Sequence, residues 1–458
     1  MISFHRKKYD FDLIVIGSGG GGNVGAYHAR SLGKKVAIFE KGDIGGECPT
    51  WACVPTKALL HAGDVYHTVQ NSKDYGVHVK DITVNYHEVK AWKDLVVSRT
   101  GAAQGEGPFR KEGITLIREH ASFVSPHEVE AGGKTYSAAK FLIATGSKVF
   151  IPPIEGIKES GYITFDKAVD MKEIPPSILI FGGGPVGCEF AHHFARFGSK
   201  VTIVNRSEKL LGNEDTEVQD IIQAIFENED ISVLTNSSIV KIEKKGDKKI
   251  VHLKKGETNI TREVDEVLIA TGKVASLDFA PEKAGIRITD HKLKVNRFLQ
   301  TNVSHIFAAG DIVGPFQFTH TANYQSYLAT RNAFANKKIP ADYSVVPRCV
   351  FVSPEVASVG ISERQAVEKG ISIMKGMAPI AVVGRANTAN QFDGFIKVIT
   401  DKSGVIIGAS IVAPRAGEMI HELALAMRLK AKASVLADMI HAYPTYSETV
   451  RVACSMVE

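Results

Sequence analysis

Cysteine is scarce, with five residues in a chain of 458. A small, odd number in a long chain does not make a disulfide scaffold, so the fold has to rest on buried apolar surface. A close cysteine pair in such a chain points to catalysis more readily than to structure. Long hydrophobic runs are missing as well: no apolar stretch approaches the roughly 18 residues that span a bilayer. The apolar segment after the basic start Arg6-Lys7-Lys8, from Leu13 to Ile16, ends in glycines and is too short for a signal peptide. The chain therefore reads as cytoplasmic, with no membrane partner. An excess of one charge is also lacking. The 55 Lys and Arg against 50 Asp and Glu leave +5, which does not argue for nucleic acid. No low-complexity segment is found. What is present is ordinary for a soluble protein, 44% hydrophobic and 23% charged, and long enough for about two to four domains.

Two of the five cysteines fall in one stretch, Gly45-Gly46-Glu47-Cys48-Pro49-Thr50-Trp51-Ala52-Cys53-Val54-Pro55-Thr56-Lys57. Pro55 suits the first turn of a helix, and a thiolate near a helix N-terminus is stabilised by the dipole. Five residues of ideal helix rise about 7.5 Å, more than a disulfide usually spans, so a bond from Cys48 to Cys53 needs a distorted turn. Pro49 argues against a regular helix there. Three readings compete: a redox-active disulfide, a metal pair, and two structural thiols. C-x4-C with no second ligand cluster is poor for zinc, and no metal site is expected.

The apolar run Phe11 to Ile16 leads into G-x-G-x-x-G at Gly17, Gly19 and Gly22. A helix-like stretch, Val24 to Leu32, and a second strand, Lys35 to Phe39, follow, ending at Glu40. This is a βαβ dinucleotide fingerprint. Its glycines let the backbone approach a pyrophosphate at a helix N-terminus, and the acid accepts hydrogen bonds from a ribose. The unit recurs. Ile178 to Phe181 leads into Gly182, Gly184 and Gly187, then a helix, then Lys200 to Val204. Asn205 stands where Glu40 stands in the first unit, and Arg206 follows. With no carboxylate to repel a 2′-phosphate and a guanidinium to bind one, the second site favours NADPH, with NADH as the alternative.

Each unit closes on an Ala-Thr-Gly, at Thr145 and Gly146 in the first and at Thr271 and Gly272 in the second. The first is the longer, and the cysteine stretch lies inside it. Two nucleotide units suggest two nucleotide cofactors with electrons passing between them. Ile306 to Ala309 runs into Gly310-Asp311, another strand end where a carboxylate can meet a polar ligand. From about residue 340 the texture changes. Val350 to Val352, Phe395 to Ile399 and Val405 to Val412 read as strands, and Gly417 to Lys430 as a helix with Ile420, Leu423, Ala424 and Met427 on one stripe.

Taken in order over the whole chain, these motifs resemble the class I flavoprotein disulfide reductases, the family of dihydrolipoyl dehydrogenase, glutathione reductase and mercuric reductase. The resemblance implies an α/β fold with two Rossmann-like dinucleotide-binding domains and a C-terminal α+β dimerisation domain. It divides the chain into an FAD-binding domain at 1–150 and 273–340, an NAD(P)H-binding domain at 151–272 and an interface domain at 341–458. It implies FAD at Gly17, Gly19, Gly22, Glu40, Thr145, Gly146 and Asp311, and NADPH at Gly182, Gly184, Gly187 and Arg206. Lys57 and Glu189 match the family's ion pair beside the flavin. Cys53 would be the flavin-proximal sulfur and Cys48 the interchange sulfur of a redox-active disulfide. Hydride would pass from NADPH through FAD to that disulfide and on to an acceptor. Cys188, Cys349 and Cys454 read as structural.

The resemblance departs in the cysteine stretch, with Thr50 where the family usually has asparagine, and at the C-terminal motif. In the disulfide reductases a C-terminal H-x-H-P-T-x-x-E supplies a catalytic histidine, held by the glutamate, to the partner subunit of a homodimer. Here the motif is His441-Ala442-Tyr443-Pro444-Thr445-Tyr446-Ser447-Glu448, with Tyr443 at the catalytic position and Glu448 retained. Tyrosine, with an unperturbed pKa of about 10, does not titrate near neutrality as histidine does, and losing a general acid/base costs roughly 10²- to 10⁴-fold. Mercuric reductases also carry tyrosine there, and Asn205-Arg206-Ser207 is similar to their nucleotide segment. Three readings follow. The first is an oxidoreductase acting on a metal ion, quinone or unusual disulfide. The second is a dihydrolipoyl dehydrogenase with altered acid/base chemistry. The third is a slow redox-sensing flavoprotein.

Overall fold

A computed structural model of the chain describes residues 9–100 and 105–458; the run Arg6-Lys7-Lys8 lies outside them. Near-continuous apolar strands suit a parallel sheet buried on both faces, and the first fingerprint provides them. The strand Phe11–Ile16 pairs in parallel with Val36–Phe39 on one side and Lys134–Ile143 on the other. Thr115–Ile117 extends the first edge, and Ile306–Ala308 lies parallel to Lys134–Ile143. The hairpin strands Ser122–Ser125 and Glu128–Ala131 continue the sheet in antiparallel fashion. The helix Gly20–Ser31 begins four residues before the expected Val24, directly in the glycine run. Glycine is tolerated there because the helix start has to lie close against the strand.

The chain divides into two compact units. One is Met1–Pro55, Ala91–Phe150 and Gly272–Asp342; the other is Thr56–Lys90, Ile151–Thr271 and Tyr343–Glu458. In the first unit, Ile14, Phe39, Phe123, Phe141 and Ile306 form an apolar core on one side of the sheet. Residues 56–90 group with the second unit, and side-chain contacts there give the reason. Asp64 pairs with Arg196, Tyr66 stacks on Phe197 at 6.0 Å, and the Tyr86 hydroxyl lies 2.9 Å from His193 Nε2.

The second unit holds a parallel sheet ordered Ser232–Leu234, Lys200–Val204, Ser177–Phe181 and Glu266–Ile269. An antiparallel meander follows, Ser237–Lys245, Lys248–Lys255 and Thr258–Val264. A five-stranded antiparallel sheet then runs in the order Arg348–Val350, Glu355–Gly360, Ile406–Ala413, Phe395–Asp401, Ile373–Pro379. The helix Ala416–Arg428 buries the expected stripe of Ile420, Leu423, Ala424 and Met427. The strand expected at Val350 to Val352 ends instead at Val350. Its next N–H groups leave the ladder: Phe351 donates to Glu189 Oε1 at 3.0 Å and Ser353 to His192 Nδ1 at 3.2 Å. Among the described residues no helix is long and apolar enough to cross a membrane.

Candidate active site

The first fingerprint places Gly17 at the end of its strand and Gly19 as the N-cap of the helix Gly20–Ser31, whose first turn carries no acid. A Cβ added at Gly22 would lie 1.9 Å from the Gly17 carbonyl oxygen, so only glycine allows this approach of helix to strand. Glu40 reaches back to the same loop. Its Oε2 accepts from Ser18 N at 2.8 Å and Ser18 Oγ at 2.7 Å, and its Oε1 accepts from Gly42 N at 2.7 Å. The fully buried Ser18 accepts in turn from Gly45 N at 3.0 Å. One hydroxyl thus ties the fingerprint loop, the acid and the glycines before the cysteines into one piece. Sequence reasoning missed Ser18, whose only signal was a hydroxyl at the x of G-x-G.

Asp311 follows the strand Ile306–Ala308 and accepts from Ser147 Oγ at 2.6 Å. Lys273 Nζ lies 3.2 Å from the same carboxylate and also pairs with Glu47, the neighbour of Cys48. Burial holds the Glu47 carboxyl above the usual range against the pull of Lys273. Burial also works against the Lys273 charge, but Glu47 and Asp311 outweigh it and raise its pKa. Thr145 Oγ1 donates to the Ser276 carbonyl at 2.8 Å, and Gly146 turns the chain with φ of +67°. Helix-start N–H groups with no acid beside them, and acceptors at Glu40 and Asp311, suit an anionic diphosphate carrying hydroxylated groups. The donor set and the glycine cradle therefore fit FAD.

The second fingerprint repeats this construction. Gly184 caps the helix Pro185–Arg196, again with no acid in its first turn. A Cβ at Gly187 would lie 1.8 Å from the Gly182 carbonyl oxygen. Asn205 does here what Glu40 does in the first unit, accepting from Gly183 N at 3.2 Å and donating to the Lys209 carbonyl at 2.8 Å. The loop is thus held without a carboxylate, and Arg206 beside it is exposed. These residues fit a pyridine nucleotide.

Cys48 lies in the one-turn helix Glu47–Thr50, and Cys53 opens the long helix Cys53–Gln70. Pro49 does sit in a helical turn. The first turn of a helix has no need of its missing N–H, and the turn stops at Trp51, whose φ is −149°. Thr50 Oγ1 donates to the Gly46 carbonyl at 2.6 Å. Cys53 Sγ lies 3.7 Å from the hydroxyl of Thr319, the first residue of the helix Thr319–Phe334. Burial pushes the Cys188 and Cys349 thiols up, and Cys454 up to about 12.

Lys57 and Glu189, 132 positions apart, form an ion pair at 2.8 Å. The Glu189 side chain is 6% exposed and that of Lys57 is 32% exposed. The Lys57 ammonium also stands 4.7 Å from the centre of the Phe351 ring, a contact that sequence reasoning missed. In the C-terminal motif Tyr443 is 78% exposed. Glu448 is occupied locally, accepting from Thr445 N at 3.0 Å. His441 pairs instead with Glu422 at 3.0 Å, a partner that sequence reasoning did not find.

Two family models cover most of the chain. The one for pyridine nucleotide-disulphide oxidoreductases matches residues 11–326, and the one for the dimerisation domain of the same family matches residues 346–454. Dihydrolipoyl dehydrogenase of Geobacillus stearothermophilus is 35% identical over 457 residues, spanning 97% of this chain and 96% of the relative. Mercuric reductase of Bacillus cereus is 32% identical over 449 residues, spanning 97% of this chain and 71% of the relative. Among solved structures, the HOCl-induced flavoprotein disulfide reductase RclA from Escherichia coli is similar with a TM-score of 0.87 and 29% identity. The match covers 98% of this chain and all of RclA. A Cu(II) complex of RclA matches with the same TM-score at 28% identity, covering 97% of this chain and all of that one.

Proposed function

The chain belongs to the pyridine nucleotide-disulphide oxidoreductase family, and we propose that its Cys48–Cys53 pair spends electrons from NADPH on a thiophilic metal ion. It is an FAD-dependent oxidoreductase with two dinucleotide-binding domains and a dimerisation domain. In this reading the FAD-binding domain comprises 1–150 and 273–340, the NADPH-binding domain 151–272 and the interface domain 341–458. FAD, when bound, supplies the two-electron link between nicotinamide and disulfide.

The chain's own residues have separate tasks. Gly17, Gly19, Gly22, Glu40, Thr145, Gly146 and Asp311 hold FAD. Gly182, Gly184, Gly187 and Arg206 hold NADPH, the guanidinium pairing with the 2′-phosphate. Lys57, fixed by Glu189 and by the Phe351 ring, carries a positive charge in the first turns of the helix that Cys53 opens. Cys53 keeps its thiolate at the start of an 18-residue helix, and Cys48 faces the acceptor. A second copy of the chain brings Tyr443 and Glu448 to the site. The exposed apolar residues Leu425, Leu429, Val435 and Ile440, the last 95% exposed, support that partner.

The observation that carries the choice of acceptor is the C-terminal motif. Tyr443 replaces the proton-donating imidazole, and the Glu448 carboxylate is committed to Thr445 N. A metal ion held between two thiolates needs no proton on a leaving sulfur, whereas a disulfide does. The mercuric reductase and the Cu(II)-bound RclA among the similar proteins support this reading. The 35% identity to a dihydrolipoyl dehydrogenase supports the second, a lipoamide enzyme with altered acid/base chemistry. The deciding experiment follows NADPH oxidation by the holoenzyme with Hg(II), Cu(II), lipoamide, glutathione disulfide and a quinone. Turnover with a metal ion at least about tenfold above lipoamide is expected, with Tyr443→His gaining lipoamide activity. Lipoamide as the fastest acceptor of the unaltered protein would sink the metal reading.

A further inference from the structure

Two long helices begin at one sulfur. Cys53 is the first residue of the helix Cys53–Gln70, and Thr319 is the first residue of the helix Thr319–Phe334. Neither helix has an acid in its first turn. The Thr319 hydroxyl oxygen stands 3.7 Å from Cys53 Sγ, within the reach of a hydrogen bond to sulfur. A thiolate can only accept, so once Cys53 ionises the hydroxyl has to be the donor. Threonines inside helices often give their proton to the carbonyl four residues back. Thr319, as the first helical residue, has no helical carbonyl behind it, so the sulfur meets little competition for that proton.

The approach to Thr319 is pinned. Gln325, on the same helix and fully buried, accepts from Gly310 N at 2.7 Å and donates to the Gly314 carbonyl at 2.6 Å. The start and the middle of the loop before Thr319 are thereby fixed to the helix that Thr319 opens. A hydroxyl held in this way is preorganised for negative charge on the sulfur.

We propose that Thr319 is a catalytic residue whose hydroxyl donates to Cys53 and holds it as a thiolate. The proposal rests on the reading of Cys53 as the flavin-facing sulfur, and it assigns the control of that thiolate to one side chain. The test uses FAD-loaded protein carrying Cys48→Ser, in which Cys53 is left without its redox partner. Two readouts are followed against pH: the long-wavelength absorbance of a thiolate against oxidised flavin, and the rate of Cys53 alkylation by iodoacetamide. Thr319→Val should raise the midpoint of both by about one pH unit, slowing alkylation roughly tenfold below the midpoint, and Thr319→Ser should restore it. Thr319→Ala makes the same comparison should the valine variant lose FAD. Unchanged midpoints in Thr319→Val and Thr319→Ala overturn the proposal. Absence of the absorbance in the Cys48→Ser parent, with alkylation still dependent on Thr319, would instead overturn the flavin-facing assignment of Cys53 and leave the hydroxyl's role intact.

Discussion

Lys57 Nζ lies 2.8 Å from Glu189 Oε2, and the other oxygen of that carboxylate accepts the N–H of Phe351 at 3.0 Å, while the Phe351 ring stands 4.7 Å from the same ammonium. The pair is lopsided, since the carboxylate is buried and the ammonium is one-third exposed. Removing the lysine therefore strands a buried charge, whereas removing the carboxylate leaves an ammonium that water can reach. Lys57→Met should cost about 2 kcal/mol of stability and Glu189→Gln less, because glutamine keeps the acceptor for Phe351 N. Thermal unfolding of both variants checks the order, and equal losses would refute the asymmetry.

Lys273 bridges Glu47 and Asp311, and Glu47 responds to pH differently from an ordinary surface carboxylate. Glu47 is raised by burial, so the folded state binds its proton more tightly than the unfolded chain. Its contribution to stability is full at acid pH and declines as pH rises through its folded value. Lys273 is also raised, so its contribution persists below the ordinary lysine value and is lost as pH climbs through the folded one. Lys273→Met should therefore destabilise more at about pH 7, with Glu47 ionised and unpaired, than at about pH 4. Adding Glu47→Gln should recover most of the loss. Melting curves at the two pH values decide it, and a pH-independent loss would contradict the pairing.

The five cysteines divide by environment. Burial raises Cys188, Cys349 and Cys454; Cys349 is partly exposed like Cys48 and Cys53, but only Cys48 and Cys53 stand at helix starts. Reaction with a chromogenic disulfide at about pH 8 should titrate the Cys48–Cys53 pair quickly in the reduced native protein and the other three only after denaturation. Rapid labelling of Cys454 in the native state would break the division.

Asn205 holds the second glycine loop without a carboxylate, leaving Arg206 exposed beside it. Arg206→Ala should raise KM for NADPH about 10- to 100-fold and leave that for NADH nearly unchanged. Steady-state kinetics with the two nucleotides measures this, and equal changes in both would remove the 2′-phosphate role from Arg206.

How far the sequence alone reached follows from what kind of physics each feature depends on. The two fingerprints, their acid and amide, and the Ala-Thr-Gly strand ends were legible because they are local. A strand's apolar run, a helix start's glycines and the spacing to Glu40 or Asn205 are fixed by the geometry of a few dozen consecutive residues. The amphipathic stripe of Ile420, Leu423, Ala424 and Met427 was legible for the same reason.

Tertiary structure decided what no spacing encodes. Glu189 and His192 draw Phe351 N and Ser353 N out of the sheet, and the strand ends early. Lys273 reaches Glu47 across 226 positions. Thr319 meets Cys53 across 266. Each is an approach of polar groups brought together by apolar packing elsewhere, and their partners are chosen because a buried donor or acceptor left unpaired is costly. The sequence by itself therefore determined the two glycine-loop units and the close spacing of Cys48 and Cys53. Only the folded chain decided which hydroxyl meets Cys53 and which ammonium meets Glu47 beside Cys48, because those choices depend on where distant segments are buried together.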